Sequence, residues 1–138
     1  KTPGHLARLH QAIYESHPGI RAIVMAQPPN LMAFGISGTP FSVNTIPESL
    51  MFLKDVELLP FETDFSKLTE LIVSKCETSN ALILRHNAVL TTGNSLLQAY
   101  DRLEIAEFGA KSLIMSKAIG KFKPISRKQA DEIRKMYP

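Results

Sequence analysis

The run Ala81-Leu82-Ile83-Leu84-Arg85-His86-Asn87-Ala88-Val89-Leu90-Thr91-Thr92-Gly93 decides how the rest of the chain is read. Two short apolar segments, Ala81–Leu84 and Ala88–Thr92, read as two strands, or as one strand that bends. The polar break between them is Arg85-His86-Asn87, and Gly93-Asn94 closes the unit. His86 sits inside a strongly apolar stretch, where a buried polar group needs hydrogen bonds. Two readings of it stay open: a turn residue satisfied by backbone, or the edge of an active site.

C-terminal to this unit, Ser95 to about Ile119 reads as one long helix. Leu96, Ala99, Leu103, Ala106, Ala110 and Leu113 step 3, 4, 3, 4 and 3, a core stripe with several small residues. Asn94 or Ser95 caps it and Gly120 stops it. Asp101, Arg102, Glu104 and Lys111 fall on its other faces, and Glu107 with Lys111 makes an i,i+4 pair. A short polar helix from about Ser126 to Met136 is expected at the periphery. N-terminal to the unit, the spacing predicts a helix over Ser66–Cys76 capped by Asp64 or Ser66, preceded by a strand over Val56–Leu59. The first elements are a helix over His5–Ser16, a strand over Ile20–Ala26 and a short helix over Leu31–Ile36. Ser37–Pro47 is expected to be loop with at most a short strand. The order is that of a single domain of alternating strands and helices.

The chain has 138 residues, enough for one domain with a real core. With 44% hydrophobic and 21% charged residues it is globular rather than disordered. The net charge of +3 is mildly basic. The basic residues gather only near the end, in Lys117, Lys121, Lys123, Arg127 and Lys128, without interleaved aromatics; this is a solvated tail, not a nucleic-acid surface. A single cysteine, Cys76, excludes a disulfide framework and fits a reducing cytoplasm. No apolar run reaches the ~18 residues of a membrane span. The start at Lys1-Thr2-Pro3 reads as the later part of something longer.

Taken residue by residue, the chemical inventory is thin. There is no Gly-rich phosphate loop, HExxH or CxxC. His5 and His10 lie about 140° apart on a helix and are read as surface residues, as is His17 before Pro18. Asp101, Glu104 and Glu107 read as a solvated helix face, and Cys76 as a buried or inert thiol.

Several segments together resemble the class II aldolase/adducin family, which includes sugar-phosphate aldolases, related epimerases and the adducin head domain. They are Leu9-His10-Gln11-Ala12-Ile13-Tyr14-Glu15-Ser16-His17-Pro18 with Ala22-Ile23-Val24, then Glu57-Leu58-Leu59-Pro60-Phe61. The run Ala81–Gly93 and then Ala99-Tyr100-Asp101-Arg102-Leu103-Glu104 with Ala110-Lys111 complete the set. The resemblance covers about Thr2 to Ile119. It implies a three-layer αβα sandwich whose central sheet is mainly antiparallel, with Ile20–Val24 and Ala81–Leu84 at its centre. The chain would then be a single partial domain over residues 1–138, lacking the N-terminal portion with the family's phosphate loop.

The resemblance also implies a catalytic Glu and three metal-holding His. Their positions here are Leu6 for the acid, and Met25, Gln27 and Asn87 for the ligands; His86 stands where the family has Asn. A thioether and two neutral amides do not replace three imidazoles around a divalent ion such as zinc. No cofactor is therefore expected, no catalytic residue is assigned, and His86, Asn87 and Gln27 remain as binding candidates. Three functions are carried forward. One is a degenerate aldolase-like domain serving oligomerisation, regulation or binding. The second is a metal-dependent sugar-phosphate aldolase or epimerase whose site is completed by upstream residues or a neighbouring subunit. The third is an unrelated small α/β binding module. A homo-oligomer, of four copies if the resemblance holds, and a sugar phosphate are the expected partners.

Overall fold

The structure is a computed structural model and describes residues 2–138. In chain order it contains α1 (His5–Ser16), β1 (Ala22–Ala26), α2 (Pro29–Ser37), α3 (Pro47–Phe52) and β2 (Glu57–Leu59). α4 (Phe65–Lys75), β3 (Ala81–Leu84), β4 (Ala88–Gly93), α5 (Leu96–Ile119) and α6 (Arg127–Met136) follow. The four strands form one sheet in the order β1-β4-β3-β2. β1 and β3 run antiparallel to β4, while β2 joins β3 in parallel.

Every residue of β3 and β4 is buried, because helices cover both faces of the sheet. Alternation along the strands divides the core in two. Ala81, Ile83 and Val89 face α2, α3, α5 and α6, together with Leu31, Phe34, Leu50 and Leu103. Leu82, Leu84 and Leu90 face α1 and α4, together with Leu9, Ile13, Leu68 and Ile72. The result is the expected three-layer sandwich.

Three expectations are corrected. The segment expected at the sheet's centre over Ile20–Val24 is β1, which begins at Ala22 and lies at an edge; β4 and β3 are central because the hairpin between them supplies both middle positions. A helix was not anticipated at Pro47–Phe52. Pro47 occupies its first turn with Glu48 beside it, a start signal that six residues of helix are too short to follow with clear periodicity. Finally, Leu96 does not join the core stripe of α5. It is 68% exposed, whereas Ala99, Leu103, Ala106, Ala110 and Leu113 are buried with Gly109.

The caps follow the sequence closely. Asp64 accepts from the N–H groups of Ser66 and Lys67, and Ser95 from that of Gln98. The start of α5 is pressed tightly on the end of β4. A Cβ built on Gly93 would lie 2.7 Å from the Ala99 nitrogen and 3.0 Å from the Ser95 carbonyl oxygen. Only glycine lets the helix turn back on the strand at this distance.

Candidate functional site

The polar candidates converge at the end of the sheet where β1 leaves it and the β3–β4 turn closes. Ala26 pairs with Val89, so Gln27 emerges beside that turn. Its side-chain Nε2 donates to the Asn87 carbonyl oxygen at 2.8 Å. Arg85, His86 and Asn87 are turn, not strand, and the Asn87 N–H donates to the Leu84 carbonyl at 3.0 Å.

His86 takes φ of +58°, in the left-handed region. Apart from glycine, Asn, Asp and His visit that region most readily. The residue is exposed, and its ring meets Phe61 edge-on with centroids 5.5 Å apart. His86 is thus a turn residue, and its exposed ring remains a candidate for binding at this edge. The ring partner is an aromatic that follows β2, brought alongside by the parallel β2–β3 pairing.

The same turn is tied to α2. Arg85 donates from its backbone to the Leu59 carbonyl and from Nε to the Gly35 carbonyl at 3.3 Å. Its guanidinium packs against Gly38, where a Cβ would come within 3.0 Å of it. Gly38 is the left-handed C-cap of α2 with φ of +71°. A cation thus stands at the negative end of the helix.

The other end of α2 carries a carboxylate. Pro28 and Pro29 occupy the N-cap and first helical positions, so neither has an N–H to leave unpaired. The next two donors, the N–H groups of Asn30 and Leu31, both reach Glu107 of α5 at 2.9 Å. Asn30 adds its Nδ2 at 2.7 Å. Glu107 is therefore not part of a solvated face paired with Lys111; it serves as the cap of a distant helix. Its signal in the sequence was indirect: a helix starting with two prolines and no capping side chain needs an acceptor from elsewhere. Arg102 is likewise drawn inward, donating through Nη1 to the Thr92 carbonyl at 2.6 Å and through Nε to the Phe52 carbonyl. Burial lowers its pKa.

The remaining candidates are spread over this end and the α1 side. Met25 is partly buried against the cluster that also holds Leu9 and Ile13 of α1. Leu6 lies in the first turn of α1 and is 56% exposed. Gln27 and Asn87 are exposed. Among the described residues, no group of three or more His, Cys, Asp or Glu is placed to hold a metal ion.

Two histidines read as surface residues are partly buried instead. The His17 Nε2 lies 2.7 Å from the Val73 carbonyl oxygen, linking α1 to α4. His10 keeps its Nε2 buried without a partner, and burial lowers its pKa. His5 does stay at the surface, its ring tilted against that of Phe65 with centroids 5.0 Å apart. Cys76 is buried, and desolvation pushes its thiol up to about 11, consistent with an inert side chain. Among the described residues no helix is long and apolar enough to cross a membrane.

Comparison with known proteins matches this arrangement. L-fuculose phosphate aldolase of Methanococcus vannielii is 28% identical over 106 residues, covering 75% of this chain and 56% of that protein. The solved sugar-phosphate aldolase of Thermotoga maritima superposes with a TM-score of 0.75 at 24% identity, over 91% of this chain and 58% of that one. The L-fuculose 1-phosphate aldolase of Glaciozyma antarctica gives 0.79 at 23% identity, over 96% and 50%. YgbL of Klebsiella pneumoniae gives 0.85 at 20% identity, over 97% and 67%. The chain thus spans between half and two-thirds of the length of these relatives. The family model described as the class II aldolase and adducin N-terminal domain matches residues 2–114, and this chain belongs to the class II aldolase and adducin family.

Proposed function

We propose that this chain is a class II aldolase-family domain that does not carry divalent-metal lyase chemistry and acts through ligand binding, regulation or assembly. The observation that carries the reading is the donor set at the end of the sheet. Where the family resemblance places three imidazoles stand a partly buried thioether, Met25, and two amides, Gln27 and Asn87. The Gln27 NH2 group is committed to the Asn87 carbonyl, so this side chain fastens β1 to the turn. Leu6 occupies the acid/base position and has no proton to exchange.

A divalent Lewis acid needs three or four convergent anionic or imidazole donors, and these residues do not fit one. What remains is a neutral polar edge with one exposed imidazole, His86, suited to hydrogen-bonding hydroxyl groups. Relatives named as sugar-phosphate aldolases make a sugar phosphate the ligand class to try first, and a homo-oligomer, of four copies by family likeness, the expected assembly.

The alternative reading is a metal-dependent aldolase or epimerase completed by residues outside this chain or from a second subunit. The exposed His86 imidazole at the same end of the sheet favours it, because one ligand would already be present. Titration calorimetry of chelator-treated protein with zinc, cobalt and manganese separates the two. No stoichiometric binding is expected, and no retro-aldol turnover of ketose phosphates. Binding tighter than about micromolar, worth roughly 8 kcal/mol, and lost in Gln27→Ala or Asn87→Ala overturns the proposal. Binding lost only in His86→Ala, together with turnover, establishes the alternative.

A further inference from the structure

At the end of the sheet away from Gln27 and Asn87, the strands border a small cleft whose walls are rich in donors. β1 begins and β4 ends here, with Ala22 paired to Gly93, and β3 starts just after Asn80. The cleft encloses about 190 Å³ among Lys54, Asn80, Thr92, Asn94, Gln98 and Arg102. No Asp or Glu lines it. Among the described residues, neither Lys54 nor Arg102 takes part in an ion pair.

The acceptors of this wall are already engaged. The Thr92 carbonyl takes Nη1 of Arg102, and Oδ1 of Asn80 takes the Lys54 N–H. Oε1 of Gln98 accepts from the Asn94 N–H at 2.8 Å, which leaves the Gln98 amide to present its own N–H groups. The Phe52 carbonyl receives both Nδ2 of Asn80 and Nε of Arg102. Two carbonyls therefore fix the Arg102 guanidinium, and its remaining N–H groups are left over.

Thr92 gives a separate sign. It is 3% exposed and lines the cleft with a hydroxyl that has no hydrogen-bond partner among the described residues. A buried polar group that the protein does not pair points to a partner from outside.

We propose that this cleft binds a phosphate group. Two cations with no acid between them match a dianion, and a phosphate monoester carries about −1.5 to −2 charges at pH 7. Ammonium, guanidinium, hydroxyl and amide donors suit oxygens that only accept. Arg102 is half-buried, and burial lowers its pKa; an anion beside it offsets the lost hydration. The space equals that of about six water molecules, so a phosphate group fits within it and the rest of a larger molecule stays outside.

The cleft lies one strand length from the edge formed by Gln27 and Asn87, about 16 Å along β1. The first turn of α1 is at that other edge too, where His5 meets Phe65 at the start of α4. The proposal thus uses none of the residues of that edge and holds whether or not the edge binds metal.

Nitrogen-15 NMR of the chain in phosphate-free buffer tests it. Inorganic phosphate should shift the Gly93, Asn94 and Gln98 amide signals saturably, with a Kd of about 1 mM or tighter, and leave Gln27 and Asn87 unmoved. Acetate, a monoanion, should bind about fivefold more weakly or less. Lys54→Gln should weaken phosphate binding about fivefold. Thr92→Val should weaken it about tenfold while Tm stays at or above that of the wild type, because the hydroxyl has no protein partner to lose. A purely structural Thr92 would instead lower Tm and leave affinity unchanged, which overturns the assignment. Glycerol 3-phosphate identifies the source: binding at least as tight as inorganic phosphate points to a phosphorylated small molecule, and weaker binding to the free ion. Shifts that do not saturate, that fall on Gln27 and Asn87 instead, or that persist unchanged in Lys54→Gln overturn the proposal.

Discussion

Replacing Glu107 by Ala should destabilise the fold far more than its place on a charged helix suggests. The carboxylate is the acceptor for the Asn30 and Leu31 N–H groups and for the Asn30 side chain. Leu31 is fully buried, so its N–H has poor access to replacement water. A hydrogen bond to a charged group contributes about 1.5–3 kcal/mol, and a buried donor left unpaired loses a similar amount. Glu107 is itself only partly buried, so the low end of that range applies to each of the two backbone bonds. The sum is roughly 3 kcal/mol, with a further few tenths from the helix dipole. For a chain of this length that corresponds to a fall of roughly 10 °C in Tm. Glu107→Gln keeps one acceptor oxygen and should cost about half as much. Urea unfolding followed by far-UV circular dichroism measures the difference, with an unchanged m-value showing that the unfolded state is the same. If Glu107→Ala loses less than about 1 kcal/mol, the carboxylate is not the cap of α2 and the account of that helix is wrong.

Leu103→Ala should cost roughly 2–5 kcal/mol in the same assay, because the side chain is buried in the α5 stripe; a cost below that range would mean that the helix does not seat there. Gly93→Ala should cost at the upper end of about 1–3 kcal/mol or prevent folding, since the added methyl meets backbone rather than a movable side chain. At the β3–β4 turn, His86→Val should lose about 1–2 kcal/mol while His86→Asn stays near neutral. Equal losses in the two would show that the left-handed φ is not what selects the residue.

Local pattern was enough for most elements. The stripe Ala99, Leu103, Ala106, Ala110 and Leu113, the caps Asp64 and Ser95, and the apolar runs on either side of Arg85-His86-Asn87 each state a structure over a few residues. Near-neighbour geometry decides such features, and sequence separation carries it directly. The reading of Met25, Gln27, Asn87 and Leu6 at the positions where the resemblance implies three imidazoles and a carboxylate also comes from the chain alone, since it concerns what a side chain can donate.

Tertiary structure decided what depends on partners distant in sequence. Glu107 and Lys111 stand four apart and looked like a surface pair, yet Glu107 reaches α2 some 77 residues away. Arg102 looked solvent-facing and is pulled to the Thr92 and Phe52 carbonyls. His10 and His17 looked exposed and are partly buried, His17 where α1 meets α4. The strand expected at the centre of the sheet lies at its edge, because strand order is set by which edges pair and not by apolarity within a strand. Leu96 continues the core spacing and yet faces water. Periodicity tells which side chains share a face; only the packed neighbours determine whether that face meets protein or solvent.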